Sequence, residues 1–84
     1  MDKKKHSRET ESNQDSFESA YPNIARWVLD GWIEIGHESY TDSFVRALDE
    51  GGMVWEGKRK YPTLEDALKD LDRGVAKWFE ENDG

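Results

Sequence analysis

The sequence predicts an α+β fold, in which a small antiparallel sheet of three to four strands forms a meander and one C-terminal helix packs on one sheet face. The segment 44–79 carries this prediction, because two apolar runs flank a glycine turn and a strongly patterned helix follows them. An Asp-Gly pair at Asp30-Gly31 predicts a further hairpin upstream. The chain has 84 residues, which is enough for one domain.

Residues 1–20 are predicted to form a disordered polar tail. The segment from Met1 to Ser19 contains no aliphatic residue and a single aromatic one, Phe17, so it cannot bury enough apolar surface to offset the entropy of ordering. The domain is therefore expected to cover residues 21–84. The polar N-terminus lacks the apolar stretch of a signal peptide, and no run is long enough to cross a bilayer, so we expect a cytoplasmic protein.

The first predicted hairpin has strands at about 24–29 and 32–37. A two-residue turn between them places Trp27, Leu29 and Trp32 on one face, and we treat these three side chains as a candidate partner-binding surface. An alternative interpretation makes residues 22–30 a short helix that starts at Pro22 and is capped by Gly31. The hairpin is the preferred interpretation, and the pattern leaves both open.

The second predicted strand pair covers about 43–48 and 53–57 and is joined by Asp49-Glu50-Gly51-Gly52. Strict alternation assigns these strands two faces, both of them partly apolar, so the pattern does not say which face meets the helix. One face carries Phe44, Leu48, Met53 and Trp55, with Arg46 between them, and the other carries Val45, Ala47 and Val54.

A helix is predicted over about 63–82. Thr63 is a suitable N-cap, and Asp66 three residues later approximates a capping box. Gly74 lies inside this helix on its apolar stripe, where glycine costs about 1 kcal/mol relative to alanine. We hypothesise that Gly74 lets the helix backbone approach the sheet or a partner closely. The stripe contains Leu64, Ala67, Leu68, Leu71, Val75, Trp78 and Phe79.

The charge of the chain limits its partners. The formal net charge is −7, which disfavours binding to a phosphate backbone. The basic run Lys58, Arg59 and Lys60 is predicted to be a solvated turn, and an anion site there is the lesser alternative. The four tryptophans are first of all core residues, although four such rings can exceed what one small core hides.

We find no constellation that predicts an enzyme, a cofactor or a metal site. One loop contains His37, Glu38, Tyr40, Asp42 and Ser43, but neighbours in sequence rarely converge on one reacting atom. Asp70, Asp72 and Gly74 lack the spacing and the bidentate glutamate of a calcium loop. The chain has no cysteine and two histidines, so zinc binding is not expected.

The run YPTLEDALKDLDRGVAKWFE, residues 61–80, resembles the start of the helix in HicB-like antitoxin domains. The matching residues are Thr63, Leu64, Glu65, Ala67, Leu68 and Trp78. The Pro-Asp-x-Pro-Gly segment of that family is missing, as is a DNA-binding module after Asn82. The whole chain also resembles small uncharacterised bacterial proteins that share GWIEIG, SFVRA and DEGG segments, a resemblance that implies no established activity.

Two functional classes follow. The first is an acidic protein-interaction module, either homodimeric or an antitoxin-like accessory that binds a basic partner protein. The second is a nucleic-acid binder, because a helix on a three-stranded sheet is similar to double-stranded-RNA-binding domains. Those domains need lysines at the start of the final helix, where this chain has Glu65 and Asp66. No small-molecule substrate or membrane contact is expected.

Overall fold

The computed structural model describes residues 17–83, and for Asp83 the backbone alone. The three strands form one antiparallel sheet in the order β1-β2-β3, and the long C-terminal helix packs on it, which confirms the predicted α+β meander. The elements in chain order are α1 Pro22–Trp27, β1 Trp32–Ile35, β2 Val45–Asp49, β3 Gly52–Glu56 and α2 Leu64–Asp83.

The predicted polar tail is described only in its last part. Residues 17–20 are helical and exposed, so for these four positions the prediction of disorder is wrong. The backbone N–H of Tyr21 donates to the carbonyl of Phe17 at 2.8 Å, which joins this turn to the domain. Residues 1–16 of the predicted tail lie outside the described residues.

The segment 22–27 is a helix, so the predicted strand at 24–29 is wrong and the helical alternative holds. Pro22 occupies the start of α1, and no side chain at the N-cap satisfies the backbone donors of the first turn. The carboxylate of Asp72 on α2 does so instead, accepting the N–H groups of Asn23 and Ile24 at 2.9 Å each. A carboxylate is favoured there because the helix N-terminus carries partial positive charge.

The core lies between the sheet, α1 and α2. The sheet face that carries Val45 and Ala47 meets α2, and both side chains are fully buried. Trp27 of α1 is buried against two rings of α2, in edge contact with Trp78 at 5.1 Å between centroids and tilted against Phe79 at 5.8 Å. The remaining buried apolar residues are Tyr21, Ile24, Ala67, Leu71 and Val75.

A β-bulge between β2 and β3 corrects one predicted face. Leu48 pairs with Met53 and Ala47 pairs with Trp55, so Val54 is the extra residue on β3. Trp55 therefore lies with Ala47 on the helix side instead of with Leu48 and Met53. Strict alternation failed here because one inserted residue reverses the faces of everything beyond it.

Gly74 provides the space for this tryptophan. A Cβ atom built at Gly74 would collide with the indole ring of Trp55. The hypothesis that Gly74 permits close approach to the sheet is thus confirmed by the geometry. The same contact is intramolecular, so it gives Gly74 a role within the fold, and the assignment of Gly74 to a partner-binding surface stays a prediction.

Candidate functional site: the open face of the sheet

The sheet face opposite α2, which we call the open face, has two halves set by strand register. Glu34 of β1 pairs with Arg46 of β2, which pairs with Glu56 of β3. Two residues further along β2, Leu48 lies between its partners from β1 and β3. One half is therefore a row of charged side chains, and the other half is a row of apolar ones.

The charged half is covered by the loop of residues 36–44. Arg46 is 1% exposed, and its guanidinium donates hydrogen bonds to three residues, Glu34, Ser43 and Gly36. Nε donates to Glu34 Oε1 at 3.0 Å, Nη1 to the carbonyl of Ser43 at 2.6 Å, and Nη2 to the carbonyl of Gly36 at 2.8 Å. Because both ends of the loop are bound to one buried cation, the loop is held against the sheet.

Two side chains of the loop complete this cover. The Tyr40 hydroxyl donates to Glu34 Oε1, and the Thr41 hydroxyl donates to Glu56 Oε1 at 2.7 Å. The hydrogen bond from Tyr40, followed by that from Arg46, lowers the pKa of Glu34. The same bond to Glu34 raises the pKa of Tyr40. At neutral pH the pair is thus a carboxylate and a phenol, which is the state that keeps the loop closed.

The apolar half, which we call the apolar strip, consists of Trp32, Leu48 and Met53. These residues are neighbours across all three strands, since Leu48 pairs with both of the others. Trp32 is 47% exposed and Met53 is 40% exposed, while Leu48 is half-buried. Folding thus leaves a row of large apolar side chains on the surface, a feature that marks interaction sites more often than isolated exposed residues do.

The structure separates the predicted surface of Trp27, Leu29 and Trp32. Trp27 is buried in the core, and its indole N–H donates to the carbonyl of Trp32 at 3.0 Å. Leu29 is 78% exposed in the turn after α1, and Trp32 lies on the open face. The shared face was wrong because it required a strand at 24–29, and a helix presents its side chains with a different period.

Leu48 and Met53 were not among the predicted site residues, although alternation placed them correctly on one face. Their connection with Trp32 depends on the pairing of β1 with β2, in which Trp32 lies opposite Leu48. The nine residues between these strands form an irregular loop, so no short turn fixed that register in advance.

The anion site predicted at the basic run stays a prediction. Lys58, Arg59 and Lys60 are all exposed, and the first two have separate partners. The Lys58 ammonium lies 5.7 Å from the centroid of the Tyr61 ring, and Arg59 lies 3.7 Å from a carboxylate oxygen of Asp42. Arg59 and Lys60 line one surface cavity, and Lys58 lines another.

The side chain of Tyr61 links the segment that follows β3 to the helix α2 by hydrogen bonds. Its hydroxyl donates to Asp70 Oδ2 at 2.6 Å and accepts the backbone N–H of Lys58 at 2.8 Å. Burial, followed by the bond to Asp70, raises the pKa of Tyr61. Burial also acts to raise the pKa of Asp70, but the hydrogen bonds from Tyr61 and Arg73 outweigh it, so that pKa is lowered overall.

His37 and Ser43, which were considered for catalysis on the basis of the sequence, each lie close to a polar group of a neighbouring residue. His37 Nε2 lies 3.4 Å from the carbonyl of Arg59, whereas Ser43 Oγ lies 3.2 Å from the Thr41 hydroxyl. Among the side chains of residues 17–82, no three histidine, aspartate or glutamate groups lie together so that they could hold a metal ion. Within residues 17–83, no helix has the length and apolar character needed to span a membrane.

Comparisons of this chain with known protein families, with curated proteins and with solved structures gave no match.

Proposed function

We propose that this chain is a small acidic protein-interaction module that binds a basic partner protein through the apolar strip. The observation that carries the proposal is the alignment of Trp32, Leu48 and Met53 across the three strands on the face that α2 leaves open. Tryptophan and methionine are enriched at the buried centres of interfaces, where a few large side chains supply most of the binding energy.

Charge supports the choice of partner. With a formal net charge of −7, the chain attracts a basic protein and repels a second copy of itself. An antitoxin-like accessory that masks a basic protein is one form of this function. A nucleic-acid binder is less well supported, because Glu65 and Asp66 occupy the first turn of α2, where backbone phosphates would need cations.

A photo-crosslinking experiment tests the proposal. The photoreactive residue p-benzoylphenylalanine is placed at Met53 in the apolar strip or, as a control, at Lys69 on the exposed side of α2. The captured protein is then purified, and its affinity is measured for the native chain and for two alanine variants. We expect a basic protein that crosslinks from position 53 only.

The two variants compare apolar residues of similar exposure. Trp32→Ala, in the apolar strip, should weaken binding at least about tenfold, because a central tryptophan is the commonest interface hot spot. Leu64→Ala, at a position 55% exposed on α2, should leave the affinity unchanged. Equal losses in both variants, an acidic partner, or a homodimer that Trp32→Ala dissociates would contradict the proposal.

A further inference from the structure

A cavity of about 350 Å³ lies where α1, the following turn, the end of β2 and the last turns of α2 meet. Its volume is near the lower end of the range for ligand pockets, roughly 300–1,000 Å³, and so suits a single side chain better than a cofactor. Its lining includes Arg26, Trp27, Asp30, Asp49, Trp78 and Phe79.

The first property of the cavity is its aromatic wall. The Trp27, Trp78 and Phe79 rings contact one another with centroids 5.1 to 5.9 Å apart. Arg26, which also lines the cavity, holds its guanidinium carbon 3.8 Å from the centroid of Phe79. A guanidinium therefore already stacks on one of these rings, as expected from the attraction of cations to aromatic faces.

The second property is charge. Asp30 and Asp49 contribute two carboxylates, which outnumber the single cation Arg26. Asp49 Oδ1 accepts the backbone N–H of Gly51 at 2.9 Å, which orients this carboxylate at the end of β2. An anionic ligand would be repelled here, and a neutral apolar ligand would leave the carboxylates unused.

A planar cation satisfies both properties, since it can stack on a ring and donate to a carboxylate. We propose that the cavity binds the guanidinium of an arginine side chain from the basic partner, with Asp30 and Asp49 as its acceptors. This inference rests on the proposed function. Asp49 directly follows Leu48 and Gly31 directly precedes Trp32, so the cavity and the apolar strip lie at the same end of the sheet, the cavity on the helix side and the strip on the open face.

The test uses three small probes: the Nα-acetyl N-methylamides of arginine, lysine and norleucine. Each is titrated into the full ¹⁵N-labelled chain, and the amide and indole signals are followed by NMR. We expect saturable shifts at the indole N–H of Trp27 and Trp78 and at the amides of Asp30 and Asp49 with arginine, and weaker or no shifts with the other two probes.

Charge variants then locate the binding. The double variant Asp30→Asn/Asp49→Asn should lose at least tenfold in arginine affinity, while Glu38→Gln/Glu65→Gln, which removes the same charge from exposed positions elsewhere, should bind as the native chain does. The spectra report directly whether each variant is folded. Absence of saturable arginine shifts, equal shifts with lysine or norleucine, or equal losses in both double variants would overturn the inference.

The failure of this inference can be separated from that of the proposed function. Arginine binding that survives in Trp32→Ala, combined with a partner affinity that is insensitive to this change, supports the cavity and rejects the apolar strip. Loss of partner binding in Trp32→Ala without any arginine shift in the native chain supports the apolar strip and rejects the cavity.

Discussion

Asp72 on α2 holds Asn23 on α1 through both of its carboxylate oxygens: Oδ1 accepts the backbone N–H of Asn23 at 2.9 Å, and Oδ2 accepts its side-chain amide at 3.0 Å. Oδ1 also accepts the N–H of Ile24 at 2.9 Å. One carboxylate thus caps a helix to which it is not adjacent in sequence. The six-residue α1 is too short to be stable alone, so this cap and the packing of Trp27 maintain it.

We expect Asp72→Ala to lower the free energy of unfolding by about 1–3 kcal/mol, because it leaves donors of α1 without a partner. Asp72→Asn keeps an acceptor oxygen and should lose less. Urea denaturation measures both, with Asp42→Ala as the control, since the Asp42 side chain is 86% exposed. Equal stability of Asp72→Ala and the control would contradict the capping role.

Gly74→Ala should lower the melting temperature, although alanine favours a helix over glycine by about 1 kcal/mol. The added methyl group would collide with the Trp55 ring, and overpacking typically costs about 1–3 kcal/mol. The loss should shrink when Trp55→Leu is introduced together with Gly74→Ala, because the leucine removes the ring. Additive effects of the two substitutions, measured by thermal denaturation, would contradict this contact.

Arg46→Met should release the loop of residues 36–44 from the open face. Methionine has an unbranched side chain that replaces the aliphatic part of the arginine, but it removes the hydrogen bonds to Glu34, Ser43 and Gly36. Hydrogen exchange followed by mass spectrometry should show at least roughly tenfold faster exchange in this loop, with α2 unaffected. As a control, Arg73→Met removes an exposed arginine of α2 and should leave exchange in the loop unchanged.

Acid should weaken the link between Tyr61 and Asp70. The pKa of Asp70 is lowered in the folded state, so the carboxylate contributes stability at neutral pH, and this contribution is lost as the pH falls below about 4 through the lowered pKa. Asp70→Asn should therefore lower the free energy of unfolding at pH 7. It should also make this free energy less dependent on pH between roughly 5 and 2, the range around the ordinary aspartate pKa. Urea denaturation across this range measures the difference.

Alkaline pH should also weaken the hydrogen bond between Tyr61 and Asp70, because it deprotonates the Tyr61 hydroxyl. The pKa of Tyr61 is raised by folding, so its contribution is complete below the ordinary tyrosine value and is lost as the pH rises through the raised one. Tyr61→Phe should remove this part of the alkaline loss of stability. Tyr21→Phe is the matched control, and an identical alkaline profile in both variants would contradict the assignment.

The sequence was sufficient for the elements that local patterns determine. The stripe and cap of α2 predicted 63–82, and the helix covers Leu64–Asp83. The turn before β3 was recognised from its glycines, and Gly52 has φ +120°, a conformation that favours glycine. Both features depend on neighbours within a few residues, which explains why they could be predicted.

The features that local patterns did not predict depend on contacts between residues that are far apart in the sequence. The helical state of 22–27 is fixed by Asp72, a residue 49 positions from Asn23. The face of Trp55 depends on a bulge that the alternation pattern does not reveal. The existence of an uncovered face could be predicted because one helix cannot cover both sides of a sheet, but its division into a closed polar half and an open apolar half required the partners of Arg46.

The row of Glu34, Arg46 and Glu56 makes the two halves of the open face chemically different. A uniformly apolar face would accept a partner in several rotated positions, with little difference in energy between them. Here the loop over Arg46 blocks one side, so the proposed partner would have to approach from the side of Trp32 and Met53. Docking in the reversed orientation would press apolar groups onto the hydrogen-bonded loop and would be excluded by desolvation. The proposed interaction would therefore have a specified orientation as well as a contact area.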